Sequence, residues 1–124
     1  MNIIATRGNT RSPHFYLDDT SKKVTLSLKS STWDYLQNAT WEVVNHENGT
    51  GKAARINGAT VHGKTGTAQN PHGEDHSWFA GYLVKDGYPV LSLVVLVEHG
   101  GKGSVEAALI SHKIFNYAQK NFSL

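Results

Sequence analysis

The stretch "VLSLVVLV", residues 90–97, limits the possible folds of this chain more than any other, because nearly every position in it is apolar. It follows the β-rich stretch "SWFAGYLV", residues 77–84, and the polar link "KDG" between them is typical of a tight hairpin turn. A strand that is apolar on both faces is expected inside a sheet and not at its edge. The chain is therefore predicted to build a sheet around this hairpin. The stretch is far too short to cross a bilayer as a helix.

A helix is predicted on the N-terminal side of the strands, over residues 30–49. Ser31 and Asp34 are spaced as in a capping box, which marks a helix start, and Asn48 with Gly49 marks its end. The predicted core face of this helix consists of Trp33, Leu36, Thr40, Val43 and Val44.

A second helix is predicted after the glycine-rich turn "HGGKG", running toward Asn121. Ser104 is its expected N-cap, while Glu106 near its start and Lys120 near its end suit the helix dipole. Its expected core face consists of Ile110, Ile114 and Tyr117. A further extended segment, "KTGTAQ", precedes the hairpin. The order helix, three antiparallel strands, helix predicts an α+β fold, with at least one helix layered on a three-stranded antiparallel sheet.

The composition excludes several classes of function. The chain has 124 residues, which suits one domain or part of one. Its net charge is +2 without a dense cluster of Lys or Arg, so nothing indicates nucleic acid binding. It has no cysteine, which removes disulfides, thiolate zinc sites and cysteine nucleophiles. The segment "HGEDH", residues 72–76, nearly matches a zinc-protease motif, but that motif needs a helix, which Pro71 and Gly73 oppose; a loop without metal is predicted.

The segment "GATVHGKTGTAQN", residues 58–70, fits two incompatible motifs. From Gly58 it matches the phosphate-binding loop G-x-x-x-x-G-K-[ST], and from Lys64 it contains a K-T-G box. A phosphate-binding loop must open a helix, and the glycines and proline of "GTAQNPHG" prevent one. Thr60 and Val61 are β-branched and favour a strand. The segment is therefore interpreted as a K-T-G strand.

Three longer strings around this box resemble class B penicillin-binding proteins, and in particular their elongation-type transpeptidases. They are "GKTGTAQNPHGEDHSWFAGY" (63–82), "VLSLVVLVEHGGKG" (90–103) and "IIATRGNTRSPHF" (3–15), the last with an extended segment at Pro13. The resemblance covers nearly the whole chain. It implies that the three strands are part of the five-stranded sheet of the penicillin-binding and serine β-lactamase-like fold.

The resemblance also implies a reaction and a set of site residues. In that family a serine attacks the penultimate D-Ala carbonyl of a peptidoglycan stem peptide, and penicillin attacks the same kind of enzyme. By resemblance, Lys64 supplies positive charge to the substrate carboxylate and to the proton-transfer network. The hydroxyl groups of Thr65 and Thr67 bind that carboxylate, the backbone N–H of Thr67 is one arm of an oxyanion hole, and Gly66 leaves room for a ligand along the strand. No metal or organic cofactor is implied.

Two motifs of the family are absent from this sequence, since it contains no S-x-x-K and no S-x-N or Y-x-N. Residues 1–124 are therefore expected to be the C-terminal portion of one transpeptidase domain. The nucleophile, its lysine base and a membrane anchor are expected in a preceding part, with the domain outside the cytoplasmic membrane. Because covalent catalysis needs a nucleophile beside its base, this chain alone is expected to be inert. A serine β-lactamase and a non-catalytic penicillin-sensor domain of the same fold remain as alternatives.

The missing part has a consequence for the sheet as well. Two of the five family strands would lie in it, so residues 89–98 are expected to form an open apolar edge in this chain. Such an edge pairs readily with another chain. We therefore expect the chain to self-associate through this strand.

Overall fold

A computed structural model of the protein describes residues 1–12 and 21–122, so the extended segment expected at Pro13 lies outside the described residues. The described helices are α1 (Asn2–Ala5), α2 (Ser30–Asn45) and α3 (Glu106–Asn121), with a 3₁₀ turn at Lys52–Ala54. The described strands are β1 (Asn9–Arg11), β2 (Lys23–Thr25), β3 (Thr60–Ala68), β4 (His76–Lys85) and β5 (Tyr88–Val97).

The predicted three-stranded antiparallel sheet is confirmed, with the strand order β3-β4-β5. Thr65 of β3 lies opposite Phe79 of β4, which in turn lies opposite Val95 of β5. Strands β4 and β5 are joined by the expected hairpin, in which Asp86 and Gly87 both have positive φ angles, of 51° and 83°. Both angles suit the right-handed twist of a two-residue hairpin turn.

The prediction that the apolar strand lies inside the sheet is wrong for the described residues, because β5 is an edge strand there. Its Val94 side chain is 61% exposed and its Leu96 side chain is 45% exposed. Strand β5 has the sequence pattern of a strand buried on both faces, but β4 is the only described strand that pairs with β5. The expectation of an open apolar edge at residues 89–98 agrees with this geometry.

The core lies between one face of the sheet and α3. Residues opposite one another in the register share this face, so Phe79 and Val95 are both buried, as are Val61 and Leu83. Phe115 of α3 packs against them. Trp78 points to the opposite face and is 38% exposed, so Trp78 and Phe79 lie on opposite faces of the sheet.

The core face of α2 is confirmed, since Trp33, Thr40 and Val44 are buried and Leu36 and Val43 are partly buried. The predicted capping box is wrong, because the helix begins at Ser30 without a side-chain cap. Asp34 instead forms a salt bridge with Arg7 at 2.8 Å, and Arg7 also donates to the Ser30 hydroxyl. The helix ends at Asn45, a few residues before Asn48 and Gly49, because His46 is extended.

Two predictions about α3 are wrong. The helix begins at Glu106, and Ser104 makes no capping hydrogen bond; the Ser77 hydroxyl of β4 instead accepts the N–H of Ala107 at 3.0 Å. The core face is rotated from the expected one, so that Ile114 is 38% and Tyr117 is 61% exposed, while Ile110 is partly buried. Small residues let the helix approach the sheet closely, and the buried positions are Ala107, Ala108, Ser111, Phe115 and Ala118.

A small two-stranded sheet and the 3₁₀ turn were not predicted. Strands β1 and β2 pair antiparallel, with Thr10 opposite Val24. Three-residue strands carry too few side chains for an alternating pattern to be read from the sequence. The sheet continues from α1 and leads into α2, so it ties the N-terminal residues to that helix.

Candidate active-site strand

The four predicted site residues, Lys64, Thr65, Gly66 and Thr67, all lie on β3. Strand β3 pairs with β4 on one side only among the described residues, so its other edge is available for contacts. The side chains of Lys64 and Gly66 lie on the face of Trp78, and those of Thr65 and Thr67 lie on the face of Phe79. The four side chains therefore do not share one face of the sheet. What the four residues share is the edge of β3 that no described strand pairs with.

The direction of the backbone groups along this edge follows from one hydrogen bond. Asn45 Nδ2 donates to the carbonyl oxygen of Val61 at 2.8 Å, and Asn45 belongs to α2, so this carbonyl points away from β4. Backbone groups of alternate residues in an antiparallel strand point to the same side. The N–H and C=O groups of Gly63, Thr65 and Thr67 therefore point toward the open edge as well. This is the direction that an oxyanion-hole donor at Thr67 requires.

Lys64 is exposed, and its ammonium group folds back onto its own strand. Lys64 Nζ donates to the carbonyl oxygen of Thr65 at 2.5 Å. This contact places a positive charge directly at the open edge of β3. An anionic group that approached the edge would meet this charge within hydrogen-bonding reach.

The two threonine hydroxyl groups are both engaged within the chain. Thr65 is only 9% exposed, and its hydroxyl lies 2.9 Å from the hydroxyl of Thr50, which follows α2. The hydroxyl of Thr67 accepts a hydrogen bond from the N–H of Gly103 at 3.2 Å. Because that hydroxyl accepts from Gly103, its proton is free to be donated to another acceptor.

The glycine-rich turn after β5 closes over the end of β3. A Cβ atom on Gly103 would lie 1.8 Å from the carbonyl oxygen of Gly66, so only glycine fits at this crossing. The Ser77 hydroxyl donates to the carbonyl of Lys102 in the same turn, at 3.2 Å. A Cβ atom on Gly66 itself would lie 3.3 Å from the Cβ of Trp78, which is a tight contact. Both glycines thus keep the end of β3 closely packed.

Helix α2 fixes the beginning of β3 through a small polar network. His62 stacks on Tyr82 with ring centroids 4.7 Å apart, and its Nδ1 lies 3.1 Å from both the Tyr82 hydroxyl and the Gln37 carbonyl. The Tyr82 hydroxyl lies 3.3 Å from the hydroxyl of Thr40 in α2. Burial lowers the pKa of His62 below its usual 6.5, partly offset by the Gln37 hydrogen bond. Burial raises the pKa of Tyr82 above its usual 10.0, so both groups are held neutral near pH 7.

Sequence reasoning missed three residues that shape this strand. The sequence predicts only a turn at Gly103, although its glycine-rich context could have indicated a close backbone approach. Sequence reasoning gave His62 no role, although its place two residues before Lys64 on the same strand face was a usable signal. Thr50 carries no signal in the sequence, because its contact with Thr65 joins residues from separate elements.

The structure bears on the other motifs too. Residues 60–68 form a continuous strand and residues 71–75 form a turn, so the phosphate-binding loop, which needs a helix there, is not formed. Within residues 1–12 and 21–122, no group of three or more His, Asp or Glu side chains could hold a metal ion. In the same described part of the chain, no helix is long and apolar enough to cross a membrane.

The chain is similar to known proteins over nearly its whole length. The family described as "Penicillin binding protein transpeptidase domain" matches residues 1–116. The peptidoglycan D,D-transpeptidase MrdA of Haemophilus influenzae is 34% identical in a match that covers 72% of this chain and 16% of that protein.

Two solved structures resemble the fold closely. PBP2 of Helicobacter pylori, solved in complex with MreC, superposes with a TM-score of 0.77 and 28% identity, over 98% of this chain and 24% of that one. The D,D-transpeptidase domain of a peptidoglycan glycosyltransferase from Eggerthella lenta superposes with a TM-score of 0.73 and 26% identity, over 98% of this chain and 31% of that one. The chain therefore spans less than a third of the length of these relatives.

Proposed function

Because the chain belongs to the transpeptidase-domain family of penicillin-binding proteins, we propose that it supplies the K-T-G strand of a peptidoglycan D,D-transpeptidase. The whole protein would cross-link stem peptides and would be acylated by β-lactams. Its serine nucleophile would lie in a part of the protein outside this chain, because no S-x-x-K occurs here. The reaction would be acyl transfer: the serine attacks the penultimate D-Ala carbonyl and the terminal D-Ala leaves. An amine of a neighbouring strand then takes the acyl group and releases the serine.

The observation that carries this proposal is the open edge of β3. The backbone groups of Thr65 and Thr67 point to this edge, where the ammonium group of Lys64 also lies. A peptide or β-lactam that lay along the edge would find hydrogen-bond donors and a positive charge together. In this role Lys64 and Thr65 hold the ligand carboxylate, and Gly66 leaves space beside the strand. Thr67 contributes its hydroxyl to the carboxylate and its N–H to the developing oxyanion.

The proposed location and contacts follow from this reaction. Peptidoglycan lies outside the cytoplasmic membrane, so we place the transpeptidase domain on that extracytoplasmic face, with a membrane anchor in another part of the protein. The strand of residues 89–98 would be covered in the whole protein and would self-associate when the chain is alone. The exposed Val94 and Leu96 side chains support this, since they flank an unpaired backbone edge among the described residues.

The proposal is tested by incubating this chain, and separately the longer protein, with a fluorescent penicillin and measuring intact masses. The longer protein is expected to gain one covalent adduct, and the chain alone none. Prior incubation with an unlabelled penicillin should block the label in the longer protein. An unlabelled longer protein would refute the transpeptidase role, and a labelled chain would show that a nucleophile lies within these residues.

A further inference from the structure

Thr50 contacts the candidate site from outside β3. It lies between α2 and the 3₁₀ turn, and its hydroxyl is 2.9 Å from the hydroxyl of Thr65. Two more contacts join α2 to the same strand: Asn45 to the Val61 carbonyl and the Gln37 carbonyl to His62. The helix and the residues after it therefore follow the β3 edge, and Thr50 is the point at which they reach the K-T-G box.

The backbone around Thr50 is held firmly by its glycine neighbours. Gly49 N–H donates to the His46 carbonyl at 3.0 Å, and Gly51 N–H donates to the Val43 carbonyl at 2.7 Å. A Cβ atom on Gly49 would lie 2.4 Å from the Val43 carbonyl oxygen, so the segment fits tightly on the last turn of α2. The position of the Thr50 hydroxyl is therefore set by the helix and not by a loosely attached loop.

The contact between two hydroxyl groups has a direction that matters for an anion. Each hydroxyl has one proton to donate and two lone pairs to accept with. If Thr65 donated to Thr50, it would present only lone pairs to an approaching carboxylate, which would be repelled. If Thr50 donates to Thr65, the Thr65 proton is free for the carboxylate, and the two hydrogen bonds strengthen each other.

We propose that Thr50 is a positioning residue, whose hydroxyl donates to Thr65 Oγ1 and thereby directs the Thr65 proton at the carboxylate of the bound peptide or β-lactam. The inference rests on the proposed function and goes beyond the K-T-G residues. Thr65 is only 9% exposed, so few water molecules compete for its oxygen and its partner decides where its proton points. Thr50 itself does not touch the ligand in this scheme.

The test uses the longer protein and two β-lactams that differ only in whether the carboxylate is free or a methyl ester. Thr50→Val removes the hydroxyl and keeps the shape, whereas Thr50→Ser keeps the hydroxyl. Thr50→Val is expected to lower the acylation rate constant for the free acid by about fivefold, the size expected for one lost neutral hydrogen bond, because Thr65 loses the partner that orients its proton. The ester should react at a rate changed by less than about twofold. Thr50→Ser should restore the rate with the free acid.

A matched control is Thr32→Val, which changes an exposed threonine of α2 whose side chain makes no hydrogen bond within the described residues. Thermal unfolding of each variant shows that it is folded. Equal losses with acid and ester, no loss with Thr50→Val, or no recovery with Thr50→Ser would each overturn the positioning role. Failure of the proposed function looks different, because the unmodified longer protein would then react with neither compound, and the inference would fall with it.

Discussion

The two edges of the three-stranded sheet, β3 and β5, differ in what covers them and in what they carry. The edge of β3 is contacted along its first half by α2, whose Asn45 side chain donates to the Val61 carbonyl, and presents Lys64 along its second half. The edge of β5 has no strand beside it among the described residues and is flanked by the apolar side chains of Val94 and Leu96.

An unpaired strand edge always offers N–H and C=O groups to a partner. What surrounds those groups decides which partner suits them. Charge and hydroxyl groups at β3 favour a small polar ligand, and a helix keeps this edge from pairing with another strand over its whole length. Apolar side chains at β5 favour a permanent protein partner. We therefore propose that β3 carries a ligand site, here called the ligand edge, and that β5 carries a surface for self-association, here called the assembly edge.

The largest expected effect concerns the ligand edge. In the longer protein, Lys64→Met should reduce the rate constant of acylation by penicillin roughly a hundredfold, since it removes the charge that we propose holds the ligand carboxylate and assists proton transfer. Because Lys64 is exposed, the free energy of unfolding should change by no more than about 0.5 kcal/mol. The measurement is stopped-flow or quenched labelling with a fluorescent penicillin. Lys113→Met, at an exposed position of α3, is the control, and equal rates for the two variants would contradict the role of Lys64.

The next effect concerns the assembly edge and is measured on this chain alone. Val94→Lys places a charge in the middle of the exposed face of β5, so self-association should weaken by about tenfold or more. Light scattering after size-exclusion chromatography, at several concentrations, gives the dissociation constant. Val24→Lys introduces the same charge on the small sheet, where Val24 is 39% exposed, and should leave association unchanged. A chain that is monomeric at every concentration would refute the assembly role of this edge.

Local patterns in the sequence were enough to predict the three strands of the larger sheet, the hairpin and the position of the K-T-G box. Alternation, β-branched residues and turn residues act within a few positions of one another, so they can be read along the chain. The resemblance then identified the family, and the four site residues follow from it. Whether those four residues bind a ligand stays a prediction.

Contacts between separate elements could not be predicted in the same way. The hydrogen bond that caps α3 comes from Ser77 of β4. The sequence pointed to Ser104 because Ser104 lies next to the helix along the chain, whereas Ser77 is distant in sequence and close only in the fold. The buried face of α3 uses small residues such as Ala107 and Ser111, although Ile114 and Tyr117 are more apolar or larger. Small side chains face the sheet because α3 packs closely against it. The periodicity of apolar residues along the helix does not show how close the helix will lie to the sheet.

A smaller effect tests how α2 covers the first half of the β3 edge. Asn45→Ala removes the hydrogen bond from Asn45 Nδ2 to the Val61 carbonyl, together with one within the helix to the Trp41 carbonyl, and should lower the free energy of unfolding by about 1 kcal/mol. Urea denaturation of this chain provides the measurement. Asn38→Ala removes an amide that donates only to the exposed Glu42 carboxylate, and should cost less than about 0.5 kcal/mol. Equal losses in unfolding free energy for the two variants would mean that the Asn45–Val61 contact does not help to hold α2 on β3.

The smallest effect is a pH dependence from His62, which joins the same half of β3 to α2. Burial lowers the pKa of His62 in the folded chain below its usual 6.5, so the unfolded chain binds the proton more tightly. Stability from the neutral imidazole is therefore complete above pH 6.5 and is lost as the pH falls from 6.5 through the lower folded pKa. Tyr82 stays protonated over this range, and its raised pKa keeps it out of the titration.

His62→Phe keeps the stacking on Tyr82 and removes the titrating group. The difference in unfolding free energy between the chain and this variant should thus fall as the solution is acidified from about pH 7 to about pH 5. Chemical denaturation at several pH values gives this difference directly, and the remaining histidines cancel because both proteins contain them. A difference that stayed constant over the range would show that the environment of His62 does not disfavour its charged form. The first half of the β3 edge, which α2 contacts, would then be as open to water as the second half, which carries Lys64.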